Sequence, residues 1–238
     1  MAFFGISANN DAQKRALQAL ISDKPFTFLT GPAGTGKSLI AQAVGLEHTI
    51  ETRRYRKLIY TRLQTQLGMD VGALPGDINE KTYPFIRPFL DNIDVMSDDA
   101  KAIINYLMSG GDKAKIFFDP IQTMRGGSFH HSYVIVDEAQ NLDVSTIHAV
   151  ATRLGNGSKF IFCGNFAQID NGKLRTPERN GLYRLLDGLY KRKESDIFDH
   201  INLTEVQRHP VVEVVEDILR NHEMAPEFAE LEARGNVY

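Results

Sequence analysis

The chain has 238 residues, 42% of them hydrophobic, and a formal net charge of −3. That size and apolar content suit one globular domain with a substantial core, and the charge excludes a strongly basic nucleic-acid binder, leaving only a local patch for such a role. No apolar run approaches the ~20 residues of a membrane helix, and the opening MAFFGISANNDAQKR lacks a basic segment followed by a long apolar one, so neither a membrane anchor nor a secretory leader is expected.

The first predicted helix spans Asn9 to Ile21, capped by Asn9 or Asn10, with Ala12, Ala16, Leu17 and Leu20 on one face. Gln13 lies in its first turn, and its amide both donates and accepts. An apolar strand follows from Phe26 to Leu29. It leads at once into Gly31-Pro32-Ala33-Gly34-Thr35-Gly36-Lys37-Ser38 and then a helix to about Thr52. Strand, glycine loop, helix is the context that a phosphate-binding P-loop requires. Glycines let the backbone approach phosphate oxygens closely, and the loop amides with the helix N-terminus present partial positive charge to an anion. Lys37 would reach the outer phosphates of ATP, and the Ser38 hydroxyl would ligate magnesium.

Lys57 to Thr61 reads as a second strand, with Arg62 and Gln64 beyond its C-terminal end, the edge where ligands bind in open α/β sheets. Gly68 to Pro88 is punctuated by glycines and prolines and reads as an extended loop. It belongs to an inserted region of about residues 65–112 that also holds a helix from Ser97 to Met108. Lys115 to Phe118 is a short strand, and the His130-His131 pair lacks zinc-ligand spacing. Tyr133 to Val136 is a strand ending in Asp137-Glu138. Asp137 there would hold the magnesium, and Glu138 would polarise the attacking water. Asp143 caps a helix striped by Val144, Ile147, Val150 and Leu154, with Arg153 in its last turn. Lys159 to Cys163 is the next strand, ending near the amides Asn165 and Gln168. The lone Cys163 reads as a small buried hydrophobe and fits a reducing cytosol, hence a cytoplasmic location. A helix over Gly181–Leu189, a basic run at Lys191-Arg192-Lys193 and a last strand within Ile197–Val206 follow. Pro210 then opens a helix expected to bury Val214, Val215, Ile218 and Leu219.

These strings together resemble the PhoH-like family of P-loop ATPases over nearly the whole chain. The resemblance rests on GPAGTGKS from Gly31, GALPGD from Gly72, RGGS from Arg125, VIVDEAQN from Val134, TRLGNGSKF from Thr152, GNFAQID from Gly164, NGL from Asn180 and VQRHPVV from Val206. It is similar to compact forms encoded by bacteria and their phages. It implies a three-layer α/β P-loop NTPase of RecA-like type, with a mostly parallel sheet in a single domain over residues 1–238. The family's kinship with superfamily 1 helicases implies that Gln13 reads adenine and Gln168 senses the γ-phosphate. It also implies that Arg208, or else Arg153, supplies transition-state charge in cis or from a neighbour. Asn165 stands where the family usually has aspartate, and Arg125-Gly126-Gly127-Ser128 lacks a second arginine of the family's turn. The expected activity is ATP hydrolysis coupled to RNA or single-stranded DNA by a homo-oligomer, plausibly a hexameric ring. The alternative is a nucleotide-dependent switch that hydrolyses slowly and docks on a protein partner. The Asp-Glu pair favours water over a small-molecule phosphoryl acceptor, and no Asn-Lys-x-Asp guanine reader occurs.

Overall fold

The structure is a computed structural model. It describes residues 2–63, 78–96, 102, 114–121, 124, 126–207, 211, 214–215, 218 and 223–236, with 78–84 described by backbone alone. The expected features over 64–77 and most of 97–113, and at Arg125, Arg208 and Leu219, lie outside the described residues.

A short hairpin, β1 (Ala2–Phe3) and β2 (Ile6–Ser7), precedes helix α1 (Asp11–Ile21). Asn10 caps α1 by accepting from the Gln13 amide. Then come β3 (Phe26–Thr30), α2 (Lys37–Ile50), β4 (Lys57–Arg62), α3 (Ile78–Ile93), β5 (Ile116–Phe118) and β6 (Ser132–Asp137). The chain continues through α4 (Val144–Ala151), β7 (Lys159–Cys163), α5 (Gly181–Arg192), β8 (Phe198–Asn202) and α6 (Pro226–Arg234).

Six strands form one sheet in the order β5-β4-β6-β7-β3-β8, every pairing parallel. A parallel sheet must be covered on both faces, and side-chain alternation divides its core in two. Leu29, Tyr60, Tyr133, Ile135, Ile161 and Cys163 face α1, α2 and α3. Phe28, Ile59, Val134, Val136, Phe160 and Phe162 face α4, α5 and α6. This is the three-layer α/β architecture expected of a RecA-like P-loop NTPase. The loop-bearing strand β3 and the carboxylate-bearing strand β6 are separated only by β7, and all three open at the same edge.

Three expectations need correction. Residues 78–93 form a helix, not a loop continuing to Pro88. Phe85, Phe89 and Ile93 recur every fourth residue and are buried, contributing about 1.5–3 kcal/mol each. Together that is comparable with the cost of the two helix-interior prolines, Pro84 and Pro88, at roughly 3 kcal/mol each. Val144 is exposed while Ile147 and Val150 of the same stripe are buried, because α4 meets the sheet only along their face. Val214, Val215 and Ile218 are exposed rather than buried. Helical spacing makes an apolar stripe but does not supply a surface to cover it.

Candidate active site

The loop between β3 and α2 is shaped by its glycines. Gly31 has φ +121°, and a Cβ there would fall 2.0 Å from the Leu203 carbonyl oxygen. Gly36, at φ +90°, occupies the position before α2. Both lie in the left-handed region, where L side chains are strained. Gly34 and Gly36, with Ala33, line a cavity of about 520 Å³ at the C-terminal edge of the sheet. Pro32 and Thr35 act from within the loop: the Thr35 hydroxyl donates to Pro32 O at 3.0 Å.

Lys37 and Ser38 begin α2 and also line the cavity. The Lys37 ammonium donates to Gly31 O at 2.7 Å and Pro32 O at 2.6 Å. Burial lowers its pKa, an effect opposed by nearby charges that include Glu138 and Asp137. Across the cavity floor, the Ser38 hydroxyl donates to Asp137 Oδ1 at 2.8 Å. Two residues 99 positions apart thus meet. Asp137 is buried, and its Oδ2 accepts from the Tyr60 hydroxyl at 2.8 Å.

Glu138 follows in the left-handed conformation, at φ 52°. Burial raises its pKa, as does the adjacent Asp137; a hydrogen bond from Gln140 and the charges of Arg62 and Lys37 oppose the rise. The Gln140 Nε2 donates to Glu138 Oε2 at 2.6 Å and to Gln168 O at 3.0 Å, while its Oε1 accepts from the Asn165 amide at 3.0 Å. One buried amide therefore ties the acid after β6 to the loop after β7. Asn165 and Gln168 line the cavity, and the Asn165 side chain accepts from the Ala167 amide at 3.0 Å.

Gln13 is buried behind the loop. Its Nε2 donates to Thr35 O at 3.0 Å and its Oε1 accepts from the Asn9 amide at 2.8 Å. It also lines a second cavity of about 220 Å³ together with Asn9, Gln207 and Gly36. Arg153 is placed elsewhere. Its Nε donates to Gly127 O at 3.0 Å, and its guanidinium lies 4.0 Å from the centroid of the Phe129 ring, just before β6 begins. That is the opposite edge of the sheet, so Arg153 does not reach this chain's own cavity. Arg208 lies outside the described residues, although the Gln207 amide donates to Gly34 O at 2.8 Å and its side chain lines the cavity.

Sequence reasoning left without a role Tyr60, buried behind Asp137, and the lining residues Gln140, behind Glu138, and Asp91 and Asn92 of α3. Gln140 stands inside the DEAQN string, and its side chain joins Glu138, two positions away, to Asn165, 25 positions away. The donor set fits magnesium. Ser38 and Asp137 offer hard oxygens, and no cluster of three His, Cys, Asp or Glu occurs among the described residues. Such a site suits a cation that brings water and phosphate ligands with it. No described helix is long and apolar enough to cross a membrane.

Protein PhoH2 of Mycolicibacterium smegmatis is 34% identical over 218 residues, 91% of this chain and 48% of that protein. A PhoH-like protein of Synechocystis is 35% identical over 222 residues, 93% of this chain and 64% of that one. The chain thus spans about half to two thirds of the length of these relatives. Among solved structures, the Pif1 helicase from Candida albicans matches at 17% identity and a TM-score of 0.45, covering 94% of this chain and 47% of its own. The family model for PhoH-like protein matches residues 5–220. The chain belongs to the PhoH-like family.

Proposed function

We propose that the chain binds ATP with magnesium and hydrolyses the terminal phosphate. The observation that carries this reading is the contact of Ser38 with Asp137 at the floor of a glycine-lined cavity. In this reading Lys37 exchanges its two loop carbonyls for phosphate oxygens, and the loop amides complete the cradle. Glu138 accepts the proton of the attacking water, a task helped by burial, which raises the pKa of its carboxyl. Gln140 orients that carboxylate, and Gln168 marks the γ-phosphate side of the cavity. Magnesium, when bound with the nucleotide, neutralises charge developing on the phosphates. Gln13 and its cavity receive the base.

Hydrolysis is coupled to RNA or single-stranded DNA in a homo-oligomer, a hexameric ring being one form. Arg153 supports assembly, because its place at the far edge lets it serve only a neighbouring subunit's nucleotide; Arg208 is the other candidate arginine. A slow nucleotide-dependent switch is favoured by one observation: an amide, Asn165, stands where the family carries a carboxylate, and it is spent on capping its own loop. The chain 1–238 acts as one domain, in the cytoplasm.

The test is phosphate release by the wild type, Lys37→Ala and Glu138→Gln, with and without single-stranded RNA and DNA. Lys37→Ala should abolish turnover. Glu138→Gln should retain nucleotide binding and lose at least about a hundredfold in rate. Full activity in either variant overturns the site. A rate that responds to neither nucleic acid selects the switch, and a strict monomer by light scattering with ATP excludes the ring.

A further inference from the structure

Asp137 is held from two sides. Its Oδ1 accepts from the Ser38 hydroxyl, which lines the cavity, and at 3.1 Å from the Glu138 amide; its Oδ2 accepts from the Tyr60 hydroxyl, which is fully buried. Tyr60 lies two residues before Arg62, the residue in register with Asp137. Its ring sits among aromatic neighbours, with centroids 5.3 Å from Phe89, 6.1 Å from Phe85 and 6.1 Å from Phe118. Phe89 and Phe118 also pack on each other at 5.1 Å. Such packing fixes where the hydroxyl points, and a buried tyrosine hydroxyl needs a partner.

A carboxylate can rotate about its last torsion. Donors fixed on each oxygen remove that freedom, and ligands so braced bind metal more tightly. Ser38 can turn its oxygen towards a ligand in the cavity, whereas Tyr60 cannot leave its place. We propose that Tyr60 is a positioning residue that holds Oδ2 of Asp137 and so keeps Oδ1 turned to Ser38 and the cavity, setting the affinity for a divalent cation that arrives with the nucleotide. The inference rests on the reading of Asp137 as a cation ligand. It adds that α3, through Phe85 and Phe89, is mechanically joined to that ligand.

The experiment uses the full chain and Tyr60→Phe, which keeps the ring and its packing. Binding of a fluorescent ADP analogue is followed as magnesium is titrated from EDTA, and bound Mn²⁺ is counted by electron paramagnetic resonance. The expected result is a magnesium midpoint raised about tenfold, with nucleotide affinity in EDTA unchanged. A midpoint within twofold of wild type overturns the proposal. Equal weakening with and without magnesium also overturns it, since that marks a purely structural role. A wild type with no magnesium dependence removes Asp137 as a ligand, and the proposal falls with it. Should Tyr60→Phe not fold, Phe89→Leu keeps the hydroxyl but loosens its support. A shift of about threefold in the same direction is then expected, and an unchanged midpoint counts against the inference.

Discussion

Gln140 holds the general-base candidate by a 2.6 Å hydrogen bond while reaching two residues of the loop after β7. Removing it as Gln140→Ala should lower kcat about tenfold with little change in KM, because orientation and not binding is lost. The pH profile gives a sharper signature. As the proposed general base Glu138 would act as the anion, so activity is expected to rise with pH through its raised pKa. The Gln140 hydrogen bond pulls that pKa down, so the variant's acid limb should move to higher pH. At this scale the sequence was informative wherever chemistry fixes spacing. Lys37 and Ser38 follow from the loop pattern, and Asp137 and Glu138 from a strand that ends in two acids. Tyr60 is not legible, because its partner Asp137 lies 77 positions away, and Gln140 only in part, because Glu138 is two positions away but the loop that fixes the amide is reached 25 and 28 positions on. A helix's last turn names no edge of the sheet until the fold is built, and the fold puts Arg153 at the edge away from this chain's own cavity.

The strands β3 to β7 are legible to within a residue, since buried parallel strands are short apolar runs with sharp ends. The two-residue strands β1 and β2 are too short to show a pattern, and β8 is bounded only loosely. Helix α3 is not legible, because two prolines outweigh a stripe whose burial only the folded core reveals. The opposite error occurred at Val214, Val215 and Ile218, where the stripe exists and its cover does not. Close packing also makes α2 sensitive to volume. A Cβ on Gly45 would lie 2.6 Å from Leu58 Cδ1 and 2.7 Å from the Tyr133 ring, so the helix rests directly on the sheet. Gly45→Val should cost about 2 kcal/mol, lowering Tm by roughly 4–8 °C in a chain of this size. A thermal melt checks it, and an unchanged Tm would show that α2 can lift without penalty.

The same sheet carries the molecule's response to acid. His200 lies on β8, with Nε2 2.9 Å from the Thr30 hydroxyl and Nδ1 3.0 Å from the Tyr190 hydroxyl. Burial, then Arg234, lowers its pKa to about 3. The unfolded chain takes up this proton near pH 6.5, so the contribution is complete above that value and is lost as pH falls towards about 3. Wild type should therefore lose about 2 kcal/mol relative to His200→Gln between pH 7 and pH 5, read from urea midpoints. Comparison with the variant cancels the opposite trend of Glu232, whose carboxyl burial raises to about 7. Parallel slopes for the two proteins would show that His200 does not carry the effect.

One further consequence follows from Lys37, whose ammonium already clasps two oxygens of its own loop. In the proposed reading a bound nucleotide takes the place of both. A tail of two or three anionic groups then offers the ammonium more contacts than a lone phosphate does, so a di- or triphosphate is expected to displace a fluorescent ADP analogue at lower concentration than inorganic phosphate.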